Sequence, residues 1–205
     1  MTSVVVSTLV SLDGYVAGPG GDIAGLTMDA SFDAHNLERL RAAGTLLMGA
    51  TTYRGMSAYW PAVGADPSVS RAVALDPSVA GVHVGTARRN GELPKVVVSD
   101  TLTPADGGEW AGTTTVVRRT DAARAVAALR EEDGGDVLVF GSRTLWGGLL
   151  AADLVDELYL MVSPVLLGAG LAAFPAGTAR GLRLLDTRTR PDSPNVVLHY
   201  SVVHA

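Results

Sequence analysis

Two stretches of this chain run from apolar residues into glycine and then into small or hydroxyl residues: Met48–Gly49–Ala50–Thr51–Thr52 and Phe140–Gly141–Ser142–Arg143–Thr144. A third, Ser99–Asp100–Thr101–Leu102, follows the apolar run Val96–Val98. Where such a run is a buried strand and the next residues open a helix, free backbone N–H groups and neighbouring hydroxyls suit a phosphate or pyrophosphate. Taken singly, each stretch reads first as ordinary turn and cap chemistry. Three in the same topological position weigh toward a ligand, because open α/β sheets bind ligands beyond the carboxyl ends of their parallel strands.

Gly168–Ala169–Gly170–Leu171–Ala172–Ala173 has the G-x-G-x-x-A spacing of a dinucleotide fingerprint, with Asp186 downstream. Pro175 would cut off the helix that should open there, and too little chain follows for a second βαβ half. This stretch is expected to be a turn. Other chemistries find no pattern. The chain has no cysteine, which excludes thiolate metal sites, disulfides and a cysteine nucleophile. His35, His83, His199 and His204 show no ligand spacing, so no metal is expected, and His35 reads as a surface or core histidine. Neither a G-x-S-x-G elbow nor a Walker A loop is present.

The elements that must position these stretches follow from periodicity. Val4–Leu12 reads as a first strand closed by Asp13–Gly14, and Gly18–Gly21 as a loop. A helix is expected over Ser31–Ala43, with Phe32, Leu37 and Leu40 apolar, then a buried strand at Thr45–Met48. Ser57–Pro94 is the least readable region, broken by Pro61, Pro67 and Pro77, with one short helix near Ser68–Leu75. Strands resume at Val96–Ser99 and Thr114–Val117. Ala122, Ala125, Val126 and Leu129 repeat at helical spacing. Val137–Phe140 is another apolar strand, followed by a helix carrying Leu145, Leu149 and Leu150. Glu157–Val162, Leu182–Thr189 and Val196–Val203 then read as strands with no long helix between the last two. Alternating β and α closed by a hairpin predicts a mostly parallel sheet with an antiparallel edge.

The 205 residues, 47% hydrophobic and 18% charged, are one domain's worth and enough to bury a core. A net charge of −5 with scattered arginines argues against nucleic acid. The first apolar run meets Asp13 too early for a membrane span and has no basic residue ahead of it, so the chain is expected to be cytoplasmic, with no membrane partner.

SLDGYVAG (Ser11–Gly18), LLMGATTY (Leu46–Tyr53), KVVVSDTL (Lys95–Leu102), VLVFGS (Val137–Ser142) and DLVDELYLMVSPVLLGAG (Asp153–Gly170) occur in this order. Together they resemble the dihydrofolate-reductase-like family, specifically stand-alone proteins similar to the C-terminal reductase domain of the bifunctional riboflavin-biosynthesis deaminase–reductase. The resemblance runs over nearly the whole chain and implies one α/β domain with an eight-stranded, mostly parallel sheet, a homodimer, and NADPH as hydride donor. Carried over by position, Gly49 and Thr52 would line the cofactor, with Ala50 and Thr51 between them. Ser99, Asp100 and Thr101 would sit by the adenosine ribose. Gly141 and Ser142, with Arg143 and Thr144 after them, would meet the pyrophosphate or nicotinamide end. Asp33 lies where folate reductases carry an acid on the first helix and is the candidate proton donor, and Asp13 is a second candidate at the covering loop.

Three positions depart from the family pattern. Ala50 replaces a common Arg, Asp100 a basic residue, and Ser142 a second Gly. Losing two partners of the NADPH 2′-phosphate suggests a preference for NADH or weak cofactor affinity altogether, unless Arg118, Arg119 or Arg143 restores the charge. The resemblance thus implies a reductase acting on a C=N or C=O bond of a small heterocyclic substrate, folate-like or riboflavin-pathway-like. The alternative is a non-catalytic nucleotide-binding module that kept the fold.

Overall fold

The computed structural model describes residues 2–204. The chain opens with β1 (Val4–Ser11) and β2 (Tyr15–Ala17), then α1 (Ala30–Ala42), β3 (Ala43–Gly49) and α2 (Ala50–Ala65). The short α3 (Arg71–Leu75) and α4 (Ala80–Glu92) lead to β4 (Lys95–Val98) and β5 (Thr114–Val117). There follow α5 (Ala122–Arg130), β6 (Asp136–Phe140), α6 (Arg143–Ala151), β7 (Glu157–Ser163), β8 (Leu171–Ala172), β9 (Gly181–Arg190) and β10 (Ser193–Val203).

Eight strands form one sheet in the order β5-β4-β3-β6-β1-β7-β10-β9. The pairs from β5 to β7 are parallel, and β10 is antiparallel to both β7 and β9. The expected parallel sheet with an antiparallel C-terminal edge is present. Strand periodicity of two divides the core between its faces. Val5, Leu9, Leu46, Met48 and Leu138 pack on one side, together with Leu40 and Tyr53 from α1 and α2. Val4, Val6, Val10, Leu47, Val137 and Val139 pack on the other, against Val126 of α5 and Trp146, Leu149 and Leu150 of α6.

The region that was least readable is mostly helical. Pro61 lies inside α2 and removes only one backbone donor there, while Tyr53 and Val63 anchor the helix from either side of it. The helix expected near Ser68–Leu75 is split into a 3₁₀ turn at Pro67–Val69 and α3. α4 was not anticipated, because its glycines and β-branched valines favour helix weakly. It forms because it packs against α1 and α2. Its buried members include His83, Thr86, Ala87 and Asn90, a largely polar face turned inward.

Gly168–Gly170 is the turn that Pro175 implied. Gly170 has φ +139°, and a Cβ there would lie 2.1 Å from the Ala17 carbonyl oxygen. Its glycine serves close passage beneath β2, which pairs with β8 in a second, two-stranded sheet.

His35 is a core histidine. Its Nε2 shares a 3.1 Å hydrogen bond with Ser7 Oγ, and its ring packs against Tyr159. Burial, aided by the nearby Arg39 charge, pushes its pKa down to about 4. An unfolded histidine protonates near pH 6.5, so between these values the unfolded chain binds the extra proton. Stability contributed by neutral His35 is complete above pH 6.5 and is lost as pH falls toward 4, by up to roughly 3 kcal/mol. Urea midpoints measured at pH 7 and pH 5 should fall more for the native protein than for His35→Gln; equal falls would contradict this.

Candidate active site

β6 pairs with β1 only from Val4 to Ser7, whereas β1 continues beside β7 to Ser11. Beyond Phe140 the β6 flank of β1 is therefore open, and a cavity of about 470 Å³ lies there. Ser7–Leu9 line it from β1, Phe140–Arg143 from the β6–α6 turn, and Phe32 and Asp33 from α1. Met56 and Trp60 of α2 add apolar wall, and His83, Thr86 and Asn90 of α4 add polar wall. Ile23, Leu26 and Met28 come from the loop before α1. That loop is pinned by Thr27: its N–H donates to Ser163 Oγ and its carbonyl accepts from Asn195 Nδ2. Among the described residues, no cluster of His, Asp and Glu could hold a metal.

Asp33 is the acid in this cavity. Its side chain is 15% exposed, and Oδ2 lies 3.0 Å from His83 Nε2. Burial raises its pKa, the first requirement for a carboxylic acid to hold a proton near neutral pH; the His83 hydrogen bond opposes that rise. Asp13 has a different place. Oδ1 accepts from Ser11 Oγ and Leu167 N–H, and Oδ2 from Gly168 N–H. The Ser11 hydrogen bond, with help from those amides, holds its pKa down. Asp13 does not line the cavity; it staples the β1–β2 turn to the Leu167–Gly168 loop.

The sheet order sets the ends of β4, β3 and β6 side by side. Gly49 and Ser142 meet there. Gly141 has φ +54° and Ser142 φ +53°, two successive left-handed residues. This turn carries the Ser142 hydroxyl across to α2, where Oγ accepts from Gly49 N–H at 2.8 Å and donates to Thr52 Oγ1 at 2.7 Å. Gly141, Ser142 and Arg143 line the cavity, and Arg143 Nε donates to the Ala172 carbonyl. Ala50 opens α2 half-buried, and Thr51 and Thr144 are exposed. None of these three lines the cavity.

The third stretch lies outside the cavity. Ser99 Oγ accepts from the N–H groups of Thr101 and Leu102, so the hydroxyl builds the turn itself. Asp100 Oδ1 accepts from Arg119 N–H, and Oδ2 is 3.5 Å from Arg119 Nε. The carboxylate that was to repel a phosphate is thus paired with a guanidinium, both groups exposed.

His83, Thr86 and Asn90 were missed by sequence reasoning. Their spacing of three and four residues puts them on one helical face, and a polar stripe at that spacing was the available signal.

A mostly parallel sheet opened at the end of a central strand, with an acid on the first helix, is the dihydrofolate-reductase-like architecture. The model of the RibD C-terminal domain matches residues 2–198, and the chain belongs to that family. A candidate riboflavin biosynthesis protein from Shewanella sp. PV-4 is similar over 99% of this chain and 100% of its own, with TM-score 0.62 and 20% identity. The deaminase/5-amino-6-(5-phosphoribosylamino)uracil reductase of Thermotoga maritima matches at TM-score 0.61 and 17% identity. That match covers 98% of this chain and 57% of the Thermotoga chain. Dihydrofolate reductase from Enterococcus faecalis, complexed with NADP(H), matches at TM-score 0.57 and 9% identity, over 98% and 96% of the two chains. No curated protein matches.

Ser142 offers a direct test of the turn. A left-handed non-glycine residue costs about 1 kcal/mol, and each of its hydrogen bonds returns about as much. In urea denaturation Ser142→Ala should lose about 1–2 kcal/mol, having kept the strain and lost both bonds. Ser142→Gly should lie between Ser142→Ala and the native protein, and an unchanged Ser142→Ala would contradict the role of the hydroxyl.

Proposed function

We propose that the chain is a nicotinamide-dependent reductase that acts on a C=N or C=O bond of a small, unphosphorylated cyclic compound. One observation carries this reading: the Gly141–Arg143 turn, the open flank of β1 and the half-buried acid Asp33 line a single cavity at the carboxyl ends of the parallel strands. The enzyme class, an NAD(P)H-dependent oxidoreductase, accords with family membership.

The residues present fit a dinucleotide. Gly141 and Ser142 make a left-handed turn where two helices begin. The Gly49 N–H is taken by Ser142 Oγ, and Gly49 serves there by its missing side chain, since a Cβ would lie 3.2 Å from that oxygen. Gly49, Thr52, Gly141, Ser142 and Arg143 would hold the pyrophosphate and nicotinamide end, with Ala50, Thr51 and Thr144 beside them. Ser99, Asp100 and Thr101 would flank the ribose, where Arg119 offsets the Asp100 charge. That pairing favours NADPH over the NADH preference suggested by Ala50 and Asp100. When bound, the cofactor supplies a hydride. The protein aligns the acceptor, excludes water with apolar side chains and delivers a proton from Asp33.

The substrate class follows from the walls. Ile23, Leu26, Met28, Phe32, Met56 and Trp60 are apolar, and the one Arg or Lys in the lining, Arg143, already donates to Ala172. With Arg143 committed to the cofactor pyrophosphate, a ribityl phosphate would find no further cation among these residues. The Thermotoga protein's name specifies a phosphoribosylamino substrate; this chain's cavity is suited instead to a flat ring with polar atoms facing Asp33.

One domain over residues 1–205 houses both halves of the site, in a cytoplasmic setting, and its partner is a second copy. The edge strand β9 is exposed along all ten residues and carries the apolar side chains Leu182, Leu184 and Leu185, an open edge suited to self-association. No helix among the described residues is long and apolar enough to cross a membrane.

Calorimetric titration with NADPH and NADH tests the reading. NADPH should bind, and Ala50→Arg should raise the NADPH-to-NADH preference about tenfold, the worth of one added charge-assisted contact. Failure of both cofactors to bind would overturn the proposal. Light scattering on the same sample should give twice the 21.1 kDa chain mass, and the single mass would remove the second copy.

A further inference from the structure

His83 is buried on α4, fifty positions from Asp33 in sequence, yet its Nε2 lies 3.0 Å from Asp33 Oδ2. Its other ring nitrogen, Nδ1, is buried with no hydrogen-bond partner. A proton on Nδ1 would be a buried donor without an acceptor, and a doubly protonated ring would carry the same orphan donor. A bare lone pair there costs less. The orphan Nδ1 therefore favours the tautomer with the proton on Nε2, donated to Oδ2 of Asp33. Trp60 packs beside the imidazole at 6.0 Å between ring centroids and limits its rotation. Asp33 Oδ1 makes no hydrogen bond to any described residue and is not among the buried orphan atoms, so it is the oxygen available to the cavity that Asp33 lines.

We propose that His83 is a positioning residue that selects which oxygen of Asp33 carries the transferable proton: Nε2–H occupies Oδ2, and the proton resides on Oδ1. This rests on the reductase reading above. In the step itself, the substrate carbon of a C=N bond accepts a hydride, and the π-electron pair passes to the nitrogen. The Oδ1–H bond breaks as an N–H bond forms, leaving a CH–NH product and an Asp33 carboxylate. That carboxylate keeps the Nε2–H hydrogen bond, so its new charge is stabilised without reorganisation. Solvent restores the proton to Oδ1 once product leaves.

The charged surroundings are few. On its own element Asp33 feels Asp29, which caps α1 and raises its pKa; from α4 it faces only His83. Met56 and Trp60 from α2, and Thr86 and Asn90 from α4, carry no charge. Removing His83 takes away the hydrogen bond that holds the Asp33 pKa down, while burial remains.

The test needs no substrate. In protein labelled with ¹³C at aspartate carboxyls, with Asp33→Asn supplying the assignment, the Asp33 midpoint is read against pH. His83→Leu should raise it by about one to two pH units, the equivalent of one hydrogen bond to a charged group. His83→Gln, which can still present an N–H, should restore much of the shift. In the native protein, ¹⁵N shifts of His83 should show Nε2 protonated and Nδ1 bare, a reading that stands even if His83→Leu fails to fold. An unmoved Asp33 midpoint, or a proton on Nδ1, would overturn the proposal. Loss of cofactor binding alone would instead count against the reductase reading, and the two failures are separable.

Discussion

The arrangement of this protein turns on the point where β6 leaves β1. Two parallel strands that share a register from Val4 to Ser7 part at Phe140, and β1 goes on to Ser11 with only β7 beside it. Backbone groups on an open flank must find partners or water. The cavity, its helical walls and its loop cover all surround that opening. The left-handed turn at Gly141–Ser142 is what takes β6 away from the sheet so abruptly. The hydroxyl of Ser142 then ties the departing chain to the start of α2.

Polarity within the cavity is confined to a few groups, and each is placed by an element with its own reason to fold. α1 is capped by Asp29, which accepts from Phe32 N–H and fixes the first turn on which Asp33 sits. α4 has weak intrinsic helix preference, and its packing on α1 and α2 brings His83 to Asp33. The acid is thus defined by tertiary contact: burial lifts its pKa, and a residue fifty positions away holds one of its oxygens.

Most of the sheet was legible because strand alternation and apolar runs depend on local sequence. Val4–Val6, Leu46–Met48 and Val137–Val139 divide between the two faces as their period demands. The glycine and hydroxyl stretches at strand ends were visible for the same reason. Between Ser57 and Pro94 only the short helix near Ser68–Leu75 was legible; the rest of α2 and α4 were not, since Pro61 and the glycines of α4 argue against helix locally and only packing overrides them. Two roles also escaped. Asp13 reads as turn chemistry and a second candidate acid, but its role as a staple is invisible locally because its partners Leu167 and Gly168 lie far along the chain. Asp100 reads as a repelling charge, and the structure pairs it with Arg119, one of the three arginines offered as compensation. The family pattern located Asp33, but nothing in it pointed to His83.

The central claim is that the opening beside β1 receives the nicotinamide end of a reduced dinucleotide within reach of Asp33. A crystal structure of the protein grown with saturating NADPH tests it most directly. The account predicts density for the ring between the Gly141–Arg143 turn and the Phe32–Asp33 wall, with the pyrophosphate near Gly49 and Ser142. Density elsewhere on the chain, or an empty cavity in an otherwise unchanged fold, would contradict it.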